Sequence, residues 1–346
     1  MADGMYRIGV VGASSLVGKE LGDELNESLL AASDFILLED EDDAAGQITA
    51  TGDEAAFIQR IEPGSFDRMD FVFFAGSAAD AAKHWQAARR AGASIVDMTY
   101  ALENEPDVLV RAPWVPQAAA SAKPDLRTPA VVPAHPVAVM LALTASRLVS
   151  RVGLVNFAAT VLEPASQHGR EAMDELHQQT INLLSFQNLP KEQYDAQVSF
   201  NLLPTLGESA KIDIRGNERR IHRHYAALSG GRLPELVLQM VQAPVFHGYL
   251  ASVLIELDKP ATVAEVEAAL AGDYVDVVAD ESDPPSNLSV AGQEDIMVQV
   301  RSATANAEGS TRFWLWLGAD NLKLAALTAI SCASELRRMR PQGSVQ

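Results

Sequence analysis

The chain has 346 residues, 27 lysines and arginines against 46 aspartates and glutamates, a net charge of −19 and a single cysteine. A surface this acidic repels polyanions, which argues against nucleic acid and anionic membrane as partners, and one thiol excludes an internal disulfide and a cysteine-rich metal centre. No run of about 18 apolar residues occurs, and the start Met1-Ala2-Asp3-Gly4 has neither the basic stretch nor the cleavage site of a secretory signal. A cytoplasmic protein without a membrane span is expected.

The apolar run Ile8-Gly9-Val10-Val11 closing on Gly12 predicts a short buried strand, and apolar positions at 17, 21 and 25 predict the helix after it. Phe35-Ile36-Leu37-Leu38 predicts a second strand, ending in the acidic run Glu39-Asp40-Glu41-Asp42-Asp43. Phe71-Val72-Phe73-Phe74 predicts a third, followed by an alanine-rich helix over 78–91 that Gly92 ends, and Ser94-Ile95-Val96-Asp97 predicts a fourth. Strands alternating with helices imply a Rossmann-like α/β fold, a doubly wound parallel sheet. From about residue 151 the pattern changes. Longer strands over 152–161 and 244–257 with a helix over 170–184 between them predict an α+β second domain. A loop at 283–287, a strand at 313–317 and a helix over 321–339 complete the chain, the basic end of that helix suiting the negative pole of its dipole. The domain limits are read as 1–132, joined by the C-terminal helix within 320–346, and 133–319.

A strand, then Gly12 to Gly18, then a helix is the setting of a dinucleotide-binding loop. Glycines let the backbone turn sharply and approach a pyrophosphate, which the helix N-terminus then holds. The candidate cofactor residues are Gly12, Ser14, Ser15, Leu16, Val17, Glu39 and Gly76. Ser15 stands at the middle glycine of a Gly-x-x-Gly-x-x-Gly spacing and narrows the available space. Glu39 and Asp40 follow about 20 residues later, where an acid binds ribose hydroxyls and repels a 2′-phosphate, so NAD is expected in preference to NADP. The alternative for Gly12 and Gly18 is that they serve only the turn and close helix–strand packing.

Taken together, these segments resemble the aspartate-semialdehyde dehydrogenase family over nearly the whole chain. Gly12-Ala13-Ser14-Ser15-Leu16-Val17-Gly18 is similar to its Gly-Ala-Thr-Gly-x-Val-Gly loop. Ala75-Gly76-Ser77, Gly92-Ala93-Ser94-Ile95-Val96-Asp97, the stretch from Ser166 to Leu176 with Gln179-Thr180, Phe200-Asn201-Leu202-Leu203-Pro204 and Asp320-Asn321-Leu322 match later family motifs in order. The resemblance implies a homodimer paired through the second domain. It also implies a mechanism in which a cysteine thiolate attacks an aldehyde, a histidine acts as base, hydride passes to NADP and phosphate releases the acyl group.

At the matching positions, however, the chemistry is gone. The nucleophile position reads His135, the carbonyl-orienting glutamine reads Glu163, and the base histidine reads Tyr249. The two anion-binding arginines correspond to Gln242 and Glu103, and only the Glu-x-x-Lys pair is kept, as Glu208 and Lys211. Cys332 lies inside the C-terminal helix on an apolar face and is read as core. His135, Glu163 and Tyr249 are therefore the candidate catalytic positions by correspondence. His135, His168 and His247 match no metal-ligand spacing, and no metal is expected. Glu218-Arg219-Arg220 with His222, Arg223 and His224 is read as a solvated basic face, with an anion or partner site as the alternative. Trp314 and Trp316 share one strand face, opposite Phe313, Leu315 and Leu317.

Two functional classes follow. The first is a binding or interaction protein: a family member without dehydrogenase activity that keeps the dimer and the NAD loop. The second is an enzyme, either an NAD(P)-dependent semialdehyde dehydrogenase of amino-acid biosynthesis or another NAD-linked catalyst using His135 and Tyr249 as acid–base groups.

Overall fold

The computed structural model describes residues 6–28, 30, 34–40, 48–51, 54–116, 123–125, 127–279, 282–304 and 309–339, with backbone alone for 48–51 and 54–56. The chain divides into two compact units, Met1–Pro113 with Ala120–Ala134 and Ala325–Gln346, and Trp114–Ala119 with His135–Leu324.

The first unit is built on β1 (Arg7–Val11), β2 (Asp34–Glu39), β3 (Ile48–Thr51), β4 (Glu54–Arg60), β5 (Phe71–Phe74), β6 (Ser94–Asp97), β7 (Leu109–Arg111) and β8 (Val131–Pro133), in the order β3-β4-β2-β1-β5-β6-β8-β7. Seven of these strands run parallel, and β3 pairs antiparallel at the edge. A parallel sheet covered on both faces needs apolar residues at consecutive positions, which is why Phe71-Val72-Phe73-Phe74 is buried throughout. Alternate residues face opposite cores. Val10, Phe71 and Phe73 meet Leu21 and Leu25 of α1 (Leu16–Glu27) and Ala329 and Cys332 of the terminal helix (Asn321–Arg337). Val11, Val72 and Phe74 meet Ala81, Trp85 and Ala88 of α2 (Ala78–Arg90). Each fully buried aromatic here contributes on the order of 2 kcal/mol. This is the doubly wound arrangement expected from the alternation of elements.

The second unit carries α3 (Pro136–Val152), β9 (Leu154–Glu163), a 3-10 turn (Ala165–His168), α4 (Arg170–Leu184), α5 (Ile214–Ser229), β10 (Leu236–Gln242), β11 (Tyr249–Ala261), α6 (Val263–Leu270), β12 (Val275–Val277), β13 (Ile296–Ser302) and β14 (Ser310–Ala319), before α7 (Asn321–Arg337). Its strands form one mixed sheet, β10-β9-β11-β14-β13-β12, with parallel pairs at each end and antiparallel pairs inside. Tyr249, Ala251, Val253 and Ile255 of β11 and Phe313, Leu315 and Leu317 of β14 are buried together. The opposite face carries a cross-strand row, Val237, Ala158, Leu254 and Trp314, in which Val237 is 64% and Trp314 45% exposed.

Several elements differ from their sequence expectations. The strand read as starting at residue 152 starts at Leu154, because Val152 ends α3 and Gly153, at φ +73°, turns the chain out of the helix. Residues 244–248 are a loop that Gly248, at φ +84°, delivers into β11. Helices α3 and α5 and strands β10 and β13 carry no counterpart in the sequence reading. Among the described residues, no helix is long and apolar enough to cross a membrane.

Candidate functional site

The nucleotide loop of the first unit lies between the end of β1 and the start of α1. Gly12 has φ +85°, and a Cβ added there would lie 2.1 Å from the Gly76 backbone, so the two glycines meet main chain to main chain. A Cβ on Gly18 would meet the Gly12 carbonyl oxygen at 2.1 Å. These glycines are required by packing whatever the loop binds. Ser15 is the N-cap of α1: its Oγ accepts from the Gly18 amide at 2.8 Å and donates to the Ala75 carbonyl at 2.7 Å. Glu39 is buried, and its Oε1 accepts from the Ser14 amide at 2.7 Å. The amides of Leu16 and Val17 have no partner among the described residues, as the first turn of a helix leaves them. Asp40 meets Lys83 at 2.5 Å and His84 Nε2 at 3.0 Å, and the Lys83 hydrogen bond above all holds its carboxyl below the usual range. Glu41, Asp42 and Asp43 lie outside the described residues. The free pair of amides fits a pyrophosphate, whereas Glu39 is already engaged by the loop itself.

In the second unit, His135 is the N-cap of α3. Its Nδ1 accepts from the Val137 amide at 3.2 Å, and its own amide donates to Nδ1 of His224 at 2.9 Å. Since both Nδ1 atoms accept, each neutral ring carries its proton on Nε2. Burial holds the His135 pKa well below the ordinary imidazole value, aided by His224, Arg220 and His168. The ring stands 3.4 Å from the Gln167 amide and 6.0 Å, centroid to centroid, from Tyr249.

Glu163, at the end of β9, is fully buried. Its Oε1 accepts from Asn217 Nδ2 at 3.2 Å and lies 3.5 Å from the Tyr249 hydroxyl. Its Oε2 stands 3.2 Å from His168 Nε2, and the two atoms are not aligned as a hydrogen bond. Gln242 donates from Nε2 to the carbonyls of Glu163 and Ala243, each at 3.0 Å, which fixes the amide's orientation. Its buried Oε1 has no donor among the described residues. A cavity of about 440 Å³ is lined by His168, Gln193, Lys211, Asn217, Arg220 and Arg223 among others.

The structure thus brings Glu163 and Tyr249 together, with His135 beside Tyr249, and adds His168, Asn217 and His224. His224 corrects the reading of α5 as a solvated basic face: it is 1% exposed, because Ile221, His224, Tyr225 and Leu228 form one inward stripe. That spacing was present in the sequence and identifies it. Arg219 and Arg223 of the same helix are exposed, Glu208 is exposed, and His247 is half-buried and does not line the cavity. In the first unit, Glu103 is half-buried on the loop that follows β6. Cys332 is wholly buried, its Sγ 3.7 Å from the Arg111 carbonyl, and burial pushes the thiol far above its ordinary pKa. Among the described residues, no three or more histidine, cysteine, aspartate or glutamate side chains are grouped to hold a metal ion.

The sequence matches the semialdehyde dehydrogenase NAD binding domain over residues 7–123 and the semialdehyde dehydrogenase dimerisation domain over residues 146–324. A protein named USG-1 protein homolog from Pseudomonas aeruginosa is 31% identical over 340 residues, covering 93% of this chain and 95% of its own. An aspartate-semialdehyde dehydrogenase of Rickettsia bellii is 25% identical over 337 residues, covering 96% and 97%. A solved structure described as a probable aspartate-semialdehyde dehydrogenase from Pseudomonas aeruginosa has a TM-score of 0.83 at 28% identity, covering 97% of this chain and 99% of that one.

Proposed function

The chain belongs to the semialdehyde dehydrogenase family, and we propose that it is a member without dehydrogenase activity, retained as a homodimeric binding protein whose nucleotide loop favours NAD. The observation that carries this reading is the thiol inventory. The only cysteine, Cys332, is sealed in the first unit's core, and position 135 holds an imidazole kept neutral by burial. Thioester chemistry needs an accessible thiolate, and neither group supplies one. Tyr249 has no imidazole to act as base, and Gln242 has no charge for an anion.

Pairing through the second unit is supported by the outward sheet row of Val237, Ala158, Leu254 and Trp314, apolar surface of the kind that a partner covers. The nucleotide would rest its pyrophosphate on the Leu16 and Val17 amides, and Glu39 would oppose a 2′-phosphate. Asp40 adds little to that discrimination because Lys83 and His84 meet its charge.

The test is an assay of the purified protein with aspartate semialdehyde, phosphate and either NAD or NADP. No rate above blank is expected. A clear rate that Cys332→Ser abolishes would overturn the proposal, and so would a rate that His135→Ala abolishes.

A further inference from the structure

We propose that a second cavity, at the C-terminal end of α3, binds a small aliphatic carboxylate. Helix α3 has 17 residues, so its last turn lies about 25 Å from His135 at its start, and this cavity is separate from the cleft that holds Glu163 and Tyr249. Its volume is about 280 Å³, at the small end of what holds a metabolite. The lining combines Arg147, Arg151 and Arg232 with apolar Val149, Leu233 and Pro116, and among the described residues no aspartate or glutamate contributes to it. Three cations beside an apolar wall suit a ligand with an anionic head and a short apolar body. A phosphate, polar over its whole surface, would leave that wall unused.

The hydrogen bonds of these arginines orient them without cancelling their charge. Arg147 donates to the carbonyls of Leu270 and Asp273, and Arg232 through Nη2 to that of Pro116. Arg151 donates through Nη1 alone, to the carbonyls of Ala268, Ala269 and Ala271 at 3.2, 2.9 and 3.2 Å. All of these acceptors are neutral main-chain groups, and those around the end of α6 are carbonyls that the helix itself leaves unsatisfied. Among the described residues none of the three arginines forms an ion pair. Burial first, and then the like charge of Arg151, hold the Arg147 pKa below the ordinary guanidinium value, against an opposing pull from Asp273 and Asp295. Nε and Nη2 of Arg151 are left as one edge, and such an edge takes both oxygens of a carboxylate. The walls are also set beforehand. Trp114, two residues before Pro116, stacks on Tyr274 with ring centroids 4.3 Å apart and planes 10° from parallel. Tyr274 follows Asp273, whose carbonyl holds Arg147, and has φ +66°, a conformation that aromatic residues rarely adopt. The stack joins the Pro116 segment to the loop around Arg147, which lowers the cost of ordering the site when a ligand enters.

Calorimetric titration of the full-length protein with acetate, butanoate, neutral butanamide and inorganic phosphate tests this. Saturable binding of butanoate is expected, with none of butanamide. Butanoate should bind about tenfold more tightly than acetate, since each buried methylene is worth about fourfold. Arg232→Gln and Arg151→Gln should each weaken butanoate about tenfold or more. Both side chains are exposed, so these variants report on binding rather than folding. Val149→Ser should narrow the gap between butanoate and acetate, an effect that a merely structural role would not produce. Arg312→Gln, on the outward face of the sheet beside Glu256, is the control and should leave affinity unchanged. Absence of saturable butanoate binding, an affinity unchanged in both Arg232→Gln and Arg151→Gln, or phosphate bound as tightly as butanoate overturns the proposal.

Discussion

Placing a thiol at position 135 measures how much of the family's chemistry this fold still supports. His135→Cys sets the sulfur at the N-cap of α3, a 17-residue helix whose positive end favours a thiolate while burial opposes it. The variant loses the ring nitrogen that accepts from the Val137 amide, which costs about 1 kcal/mol. Exchanging the ring for a smaller side chain leaves roughly 40 Å³ of void, worth about 1 kcal/mol more at about 24 cal/mol per Å³. A loss of about 2 kcal/mol by urea unfolding is therefore expected, with the fold intact. Under the proposed correspondence, Tyr249 and Gln242 still stand where a base and an arginine are needed. Because members of a catalytic set act as a unit, their absence leaves the rate down by about 10⁴-fold or more, equal to about 5.4 kcal/mol of barrier. In a nicotinamide absorbance assay with aspartate semialdehyde and phosphate, His135→Cys should remain silent. The triple variant His135→Cys, Tyr249→His, Gln242→Arg should gain a phosphate-dependent rate. If the single variant turned over as fast as the triple, the roles assigned to positions 249 and 242 would be wrong.

Four other outcomes are expected. Arg111→Met strips Glu335 of a partner it contacts at 2.5 Å and 3.1 Å, and should cost about 3 kcal/mol by urea unfolding, most of it recovered in Arg111→Met, Glu335→Leu. Gly12→Ala drives a Cβ to 2.1 Å from Gly76 and should lower the melting temperature equally with and without NAD, since packing rather than ligand requires the glycine. Trp314→Glu, which places a charge in the outward sheet row, should convert a dimer mass to a monomer mass in light scattering. The folded chain keeps His135 neutral, so below about pH 6.5 the unfolded chain binds a proton that the folded one does not, and stability falls by up to about 1.4 kcal/mol per pH unit. That contribution is fully present above the unfolded pKa; urea unfolding from about pH 7.5 to about 5.5 should show a shallower loss for His135→Asn than for the unaltered chain.

The four strands expected in the first unit, β1, β2, β5 and β6, are all present because each is short and apolar at consecutive positions, whereas β3, β4, β7 and β8 had no counterpart in the sequence reading. Helix α3 was not expected either, for a physical reason. Residues 136–145 are all buried, so the segment shows no polar face and therefore no period to read. Strand β11 was placed early because Pro244-Val245-Phe246 is apolar without being paired in the sheet, while Gly248 supplies the left-handed residue that lets pairing start at Tyr249. Helix α5 did have a readable stripe, but its arginines drew the reading toward charge and away from Ile214, Ile221, Tyr225 and Leu228.

At the candidate site, spacing identified positions and not partners. Glu39 stands where a ribose-binding acid is expected, yet its carboxylate is turned onto the Ser14 amide, an orientation that counting residues does not contain. The link between His135 and His224 spans 89 residues and joins an amide to a ring nitrogen, so no local pattern marks it. Together these contacts explain how a histidine is accommodated at position 135. The first turn of α3 leaves amides in need of acceptors, and the chain there is too deeply buried for water to supply them. A neutral imidazole answers the Val137 amide through Nδ1, and His224 answers the amide of His135 itself. Both interactions require rings that stay unprotonated at neutral pH, which is the state that burial imposes on His135. The imidazole at position 135 thus leaves the helix capped, a structural role that does not depend on catalysis.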